Sequence, residues 1–324
     1  MQKLLMATQE GNNVAVVAVR SNFDDCQSAV KTIFTSDACK EELEKRGYIL
    51  SSANSINFGR LAPQIAYYFS AYLDLVSSGQ IQLGDKVNFA VPTGNFGNIL
   101  AAYYAMRMGL PVGRLVCASN KNNILTDFFR TGVYDKRREF YKTMSPSMDI
   151  LISSNLERLL FELSGRNAVR TKLRMDKLKE DGVYEIYDEE KEEISKLFYA
   201  DYCGEDETVE TIYEFFEEYQ YPMDTHTACA MYAAANYMEK EKDRDTPMVV
   251  VSTASPYKFP QDVMYALTGN DIKDSFKAIK HLNLTTAMKV PKNLAGLRDK
   301  KVRFDTVADK DKLYPEVLKF AEKK

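Results

Sequence analysis

The residues best suited to chemistry lie in VPTGNFGNIL, Val91 to Leu100, where Gly94, Asn95, Phe96, Gly97 and Asn98 separate two apolar runs. The run before them, KVNFAVP from Lys86 to Pro92, reads as a short buried strand, and Asn98 to Met108 carries apolar residues at helical spacing before Gly109. A strand, a glycine-rich turn and a helix start therefore follow one another. Without a Cβ, Gly94 and Gly97 can take backbone angles closed to other residues and let N–H groups come close to a bound group. The unpaired N–H groups and dipole of a helix's first turn favour an anion, so the ligand that suits this turn is a phosphate or a carboxylate. The turn matches neither a P-loop, which would end in Gly-Lys-Ser/Thr, nor the G-x-G-x-x-G fingerprint. The same composition also suits a tight strand-to-helix turn that holds no ligand.

Three other clusters carry polar groups in places where chemistry could be done. In SSANSINFGR, Asn54, Ser55, Asn57 and Arg60 gather at an expected helix N-terminus, which can hold a carboxylate or a phosphate, although capping alone accounts for two of them. In MDTHTACA, His226 stands among Asp224, Thr225 and Thr227 and reads as part of a helix cap or as a site residue. The other histidine, His281, belongs to an expected surface helix. In STASPYKF, hydroxyls follow an apolar strand, where a ligand's ring nitrogen or a backbone N–H is a natural partner. Two histidines support no Ser-His-Asp or Cys-His arrangement, and no metal-ligand spacing is visible.

Elements must position these groups. NVAVVAVR (Asn13 to Arg20) reads as a buried strand and FDDCQSAVKTIF (Phe23 to Phe34) as a helix with acidic residues in its first turn. Ile56, Leu61, Ile65, Phe69 and Leu73 recur at helical spacing, with Asn54 or Ser55 as the expected cap, Pro63 as a kink or restart and Gly79 just past the end. GRLVCASN (Gly113 to Asn120) and PMVVVSTASP (Pro247 to Pro256) are further apolar runs that stop at small polar residues. With helices between them, such runs predict a parallel sheet whose loops gather at the strands' carboxyl ends, where ligands bind. From about Lys172 to Glu218 the chain is dense in charge and reads as solvated helices with a short strand at VYEIY. Four portions result: residues 1–85, an α/β portion; 86–165, holding the turn; 166–245, a mostly helical charged insertion; and 246–324, a closing strand with helices.

The chain has 324 residues, 45% of them hydrophobic, enough to build the cores of a globular protein. Its net charge of −3, with Lys and Arg scattered among Asp and Glu, gives no field to hold nucleic acid. The apolar stretch in MQKLLMATQEGNN is too short for a signal peptide and no later run approaches a membrane span, so a cytoplasmic location is expected. The five cysteines, Cys26, Cys39, Cys117, Cys203 and Cys229, include no C-x-x-C pair and are expected as reduced thiols.

SANSINFGRLAPQIAYYF, VPTGNFGNILAAYYAMRMGLPV, CASNKNN, DTHTA and VSTASPYKFP together, in this order, resemble threonine synthase of the pyridoxal-phosphate fold-type II superfamily. FDDCQSAVKTIF and VPKNLAGLRDKKVRF extend the resemblance to nearly the whole chain. The resemblance implies an α/β fold with parallel sheets flanked by helices, incomplete at the N-terminus. It implies that backbone N–H groups of Gly94, Asn95, Phe96, Gly97 and Asn98 cradle the phosphate of pyridoxal 5′-phosphate, and that the Thr253 hydroxyl faces the cofactor's pyridine nitrogen. A hydroxyl there, unlike an aspartate, leaves that nitrogen largely unprotonated and moderates the electron sink. The family's Schiff-base lysine stands in a Phe-Lys-Asp motif ahead of Ser-Gly-Asp-Thr-Gly, and neither motif occurs here. Lys277 in Phe276-Lys277-Ala278 and Lys258 in the strand-end motif do not fit that role.

The chain is therefore expected to be the later part of a threonine synthase, inactive alone and without a catalytic lysine. The parent reaction would turn O-phosphohomoserine and water into threonine and phosphate, with Ser55, Asn57, Arg60 and Asn120 as candidates for the substrate's anionic groups. A related phospholyase and a non-catalytic binder of phosphate ligands are the alternatives. No metal, nucleic acid or membrane partner is expected, whereas self-association or capture of a missing N-terminal segment is.

Overall fold

The computed structural model describes residues 1–21, 23–54 and 57–322, and the chain divides into two compact units, residues 1–52 with 289–324 and residues 53–288. The first unit opens with α1 (Gln2–Ala7), β1 (Ala18–Val19), α2 (Phe23–Thr35) and α3 (Asp37–Lys45). Helix α3 is capped by Ser36, whose hydroxyl accepts from the Cys39 N–H. The buried strand expected over Asn13 to Arg20 reduces to the two residues of β1. Its partner offers only Val307 and Ala308, so the apolar run has nothing further to pair with.

The second unit begins with α4 (Phe58–Leu61), continues through a 3-10 turn at Ala62–Gln64, where Pro63 restarts the helix, and enters α5 (Ile65–Ser77). Next come β2 (Val87–Pro92), α6 (Gly97–Arg107), β3 (Val112–Ser119), α7 (Ile124–Thr131), β4 (Val133–Asp135) and α8 (Leu156–Leu163). The charged stretch supplies α9 (Ala168–Glu180), β5 (Val183–Glu185), α10 (Asp188–Leu197), β6 (Phe198–Tyr202), α11 (Glu205–Tyr219) and α12 (Thr225–Lys240). The unit closes with β7 (Met248–Val250), α13 (Pro260–Thr268) and α14 (Ser275–Thr286). The chain then returns to the first unit as α15 (Lys292–Ala295), β8 (Val307–Ala308) and α16 (Leu313–Glu322).

Strands β6, β3, β2 and β7 form a parallel sheet in that order, so β2 lies between two neighbours. Every residue of β2 is buried, the polar Asn88 included, so the strand shows none of the exposed–buried alternation of a half-covered strand. Val87, Phe89 and Val91 join one core with Ile99, Leu100 and Tyr103 of α6. Burying one such side chain contributes about 2 kcal/mol. On the other face, Ala90 and Ala118 meet Ala230, Ala233 and Ala234 of α12, where the small side chains let that helix lie close to the sheet.

The two units cut across the four portions read from the sequence. Residues 166–245 are mostly helical, but they also supply β6, an edge strand of the main sheet, and α12, which covers one of its faces. The acidic Asp201 can lie in that strand because Arg130 and Lys240 pair with it at 2.8 and 2.9 Å. Among the described residues, no helix is long and apolar enough to cross a membrane.

Candidate functional site

Strand β2 hands the chain to the glycine turn at its carboxyl end. The Thr93 N–H still bonds to the Ala118 carbonyl of β3 at 2.8 Å, which fixes the point where the turn begins. From there the turn's carbonyls point into the protein. Ser153 Oγ donates to the Gly94 oxygen at 2.7 Å, and the Asn155 N–H and Nδ2 donate to the Asn95 oxygen at 3.1 and 2.9 Å. The N–H groups of Gly94, Asn95, Phe96, Gly97 and Asn98 have no acceptor among the described residues, and α6 has no side-chain cap.

The unusual backbone angle falls on Phe96, with φ +62°, and neither glycine takes a positive φ. The sequence reading assigned that freedom to the glycines. Phe96 adopts the left-handed conformation, at a cost on the order of 1 kcal/mol, because its ring is buried against Phe129 and Phe198 at 5.9 and 6.0 Å between centroids. Gly94 is needed for a different reason: a Cβ there would stand 2.5 Å from the Ser147 carbonyl oxygen. At Gly97 a Cβ would meet nothing closer than Asn155 Nδ2 at 3.5 Å, so the protein's own packing does not demand glycine there. The start of α6 is also held by Tyr68 of α5, whose hydroxyl donates to Asn98 Oδ1 at 2.8 Å and which burial keeps protonated well above the usual phenol range.

Behind the turn, residues 143–149 form a loop held from two sides. On one side, Asn120, 1% exposed, directs Nδ2 at Thr143 Oγ1, Ser145 Oγ and Asp149 Oδ1 at 2.8, 2.9 and 2.8 Å, while its Oδ1 accepts from the Asn122 N–H. On the other, Asp224 caps α12 by accepting from the His226 N–H and also bonds to His226 Nδ1, each at 2.9 Å. His226 Nε2 accepts from the Ser147 N–H at 3.1 Å. A backbone N–H can only donate, so the ring proton sits on Nδ1 and points at Asp224. The cap is Asp224, and His226 lies two residues on, in the first turn of α12, between that carboxylate and the Ser147 loop.

The remaining candidates are spread along the carboxyl edge and α4. Asn57 caps α4, accepting from the Gly59 N–H at 2.8 Å, in place of the expected Asn54 or Ser55. Arg60 is exposed and donates to the Ala53 carbonyl at 2.9 Å. Ser55 lies outside the described residues. Thr253 follows Val251, whose N–H bonds to the Ala90 carbonyl of β2 at 2.9 Å, so the glycine turn and Thr253 leave the carboxyl ends of adjacent parallel strands. The Thr253 side chain is exposed and its hydroxyl has no partner among the described residues. Lys258 and Lys277 are both exposed. Burial pushes the Cys117 thiol of β3 up to about 12, so that sulfur stays protonated and inert.

Sequence reasoning missed Ser147, Ser153 and Asn155. No motif marks them, since Ser153 and Asn155 bond to backbone carbonyls of a segment distant in sequence and Ser147 acts through its own backbone N–H and carbonyl.

Residues 227–315 match the family model for the C-terminal part of threonine synthase. The chain is 42% identical to human threonine synthase-like 1 over 85% of its own length and 37% of that protein's. It is 40% identical to the threonine synthase of Pseudomonas aeruginosa over 83% of its length and 54% of that enzyme's. The structure superposes on the pyridoxal-phosphate-bound threonine synthase of Brucella melitensis with a TM-score of 0.83 and 35% identity, covering 100% of this chain and 63% of that one. The yeast threonine synthase structure gives a TM-score of 0.83 at 30% identity, covering 99% and 62%. The chain thus spans between 37% and 54% of the length of these curated relatives. A parallel sheet flanked by helices is the fold class that the sequence predicted, and these structures share it.

Proposed function

We propose that this chain, related to threonine synthases along most of its length, supplies the phosphate-holding half of a pyridoxal-phosphate site, and that the protein containing it converts O-phosphohomoserine and water to threonine and phosphate. The observation that carries this reading is the row of N–H groups from Gly94 to Asn98 without acceptors, at the carboxyl edge of a parallel sheet. That donor set fits a phosphate, and the Thr253 hydroxyl, just past the end of the neighbouring strand and without a partner among the described residues, fits a pyridine nitrogen. When bound, the cofactor supplies the electron sink that stabilises carbanions on either side of phosphate loss.

In this reading the chain's own residues bind and orient. The turn holds the phosphate by backbone donors, and Thr253 holds the pyridine nitrogen without protonating it. Arg60, exposed at α4, offers its guanidinium to the substrate's phosphate or carboxylate, with Ser55 as a further candidate. Asn57 and Asn120 serve by holding α4 and the 143–149 loop in place, since their side chains already bond to the protein. No Phe-Lys-Asp motif occurs in this chain, so this reading assigns the amine that joins the cofactor to none of its lysines, Lys258 and Lys277 included.

The test is a product assay on this chain together with its flanking sequence, supplied with pyridoxal phosphate and O-phosphohomoserine. Threonine and phosphate in equal amounts support the reading. A keto acid would instead identify a phospholyase, and tight phosphate binding without turnover would identify a binding protein.

A further inference from the structure

We propose that Ser153 and Asn155 are positioning residues that aim the amides of the glycine turn, so that the loop ahead of α8 sets the phosphate affinity of the site without touching the phosphate. The inference rests on the reading of the turn as a phosphate cradle. A peptide unit is planar and trans, so its C=O and N–H point in opposite directions. The Gly94 carbonyl shares its plane with the Asn95 N–H, and the Asn95 carbonyl shares its plane with the Phe96 N–H. Ser153 Oγ holds the first carbonyl at 2.7 Å, and Asn155 holds the second through two donors at 3.1 and 2.9 Å. Drawing those oxygens inward turns the paired N–H groups outward. Had either peptide rotated, a carbonyl oxygen would face the anion and repel it.

The holding residues are themselves fixed. The Ser153 N–H donates to the Tyr134 hydroxyl at 2.8 Å, and that hydroxyl donates to the Leu151 carbonyl at 3.1 Å. The side chain of Asn155 is fully buried and accepts from Arg158 Nε at 3.2 Å. None of these bonds is needed to form α8, which has no side-chain cap from Asn155. A bland packing role therefore leaves the three bonds to the turn unexplained.

The test compares pyridoxal phosphate with phosphate-free pyridoxal, and adds inorganic phosphate alone, in calorimetric titrations of the parent protein, Ser153→Ala, Ser153→Thr and Asn155→Ala. Each alanine variant should lose about tenfold in affinity for pyridoxal phosphate and for phosphate, and little for pyridoxal, while Ser153→Thr keeps its hydroxyl and stays near the parent. A purely structural role would weaken both pyridoxal forms alike, and that result, or unchanged affinities in both alanine variants, overturns the proposal. A parent protein that binds phosphate and pyridoxal phosphate no better than pyridoxal would instead overturn the cradle reading, and this inference with it.

Discussion

The carbonyl oxygen of Ser147 lies 2.5 Å from the point where a Cβ on Gly94 would stand, so the 143–149 loop and the glycine turn cannot both keep their places if residue 94 carries a side chain. Gly94→Ala should destabilise the protein by about 2 kcal/mol in urea unfolding and weaken phosphate binding at the same time. Gly97→Ala, with 3.5 Å of room to its nearest neighbour, should change stability by less than about 1 kcal/mol. Equal stability losses for the two variants would count against this account of the turn.

Removing the ring of His226 leaves the Ser147 N–H without its acceptor and the buried Asp224 carboxylate without one of its donors. His226→Ala should therefore cost about 1–3 kcal/mol in thermal or chemical unfolding. The loss should be smaller in His226→Gln, whose amide oxygen can take the same N–H. An alanine variant as stable as the parent would show that the loop is held without this ring.

Asp201 gives the second unit part of its acid sensitivity. Burial alone would raise its carboxyl, but hydrogen bonds from Lys240, the Tyr202 N–H and Tyr199 outweigh that and hold it below the ordinary value. A depressed pKa stabilises the fold above the unfolded value near pH 4, and the contribution is lost as pH falls through the lower folded value. Asp201→Asn should lower stability at pH 7 by about 2 kcal/mol and flatten the fall of stability below pH 4. Parallel stability-versus-pH curves for the two proteins would refute the assignment.

Arg60 should separate binding from folding. Its guanidinium is exposed and, among the described residues, makes one hydrogen bond, to the Ala53 carbonyl, so Arg60→Gln should leave unfolding within about 0.5 kcal/mol of the parent. Affinity for O-phosphohomoserine should nevertheless fall about tenfold, and more at low salt than at high. If titration shows no change, Arg60 does not meet the substrate.

Strand β2, the glycine turn, α6 and β3 were legible because a mostly apolar strand and a glycine break are local signals. Strand β6 was not, since FYADY sits in an acidic stretch, and the cations that pair with Asp201, Arg130 and Lys240, lie far away in sequence. Over Asn13 to Arg20 the error ran the other way: the apolar run promised a strand, and the short partner at Val307 and Ala308 limited it. Within the site, residue types announced the anion-binding turn, but its left-handed residue was hidden, because the force that places Phe96 there is the packing of its ring on Phe129 and Phe198. Ser153 and Asn155 left no trace in the sequence because they speak to backbone carbonyls, which every residue has.

The pairing of Ala90 with Val250 also sets a schedule. At a synthesis rate of about 5–20 residues per second, β7 leaves the ribosome on the order of ten seconds after the β2 segment. During that interval the nascent chain can shape the glycine turn while one edge of β2 waits, open, for a strand not yet made. Thr253 arrives only with that strand. Until β7 is made, the β2 edge that Val250 will cover lacks its partner, so the order of synthesis separates the glycine turn from Thr253.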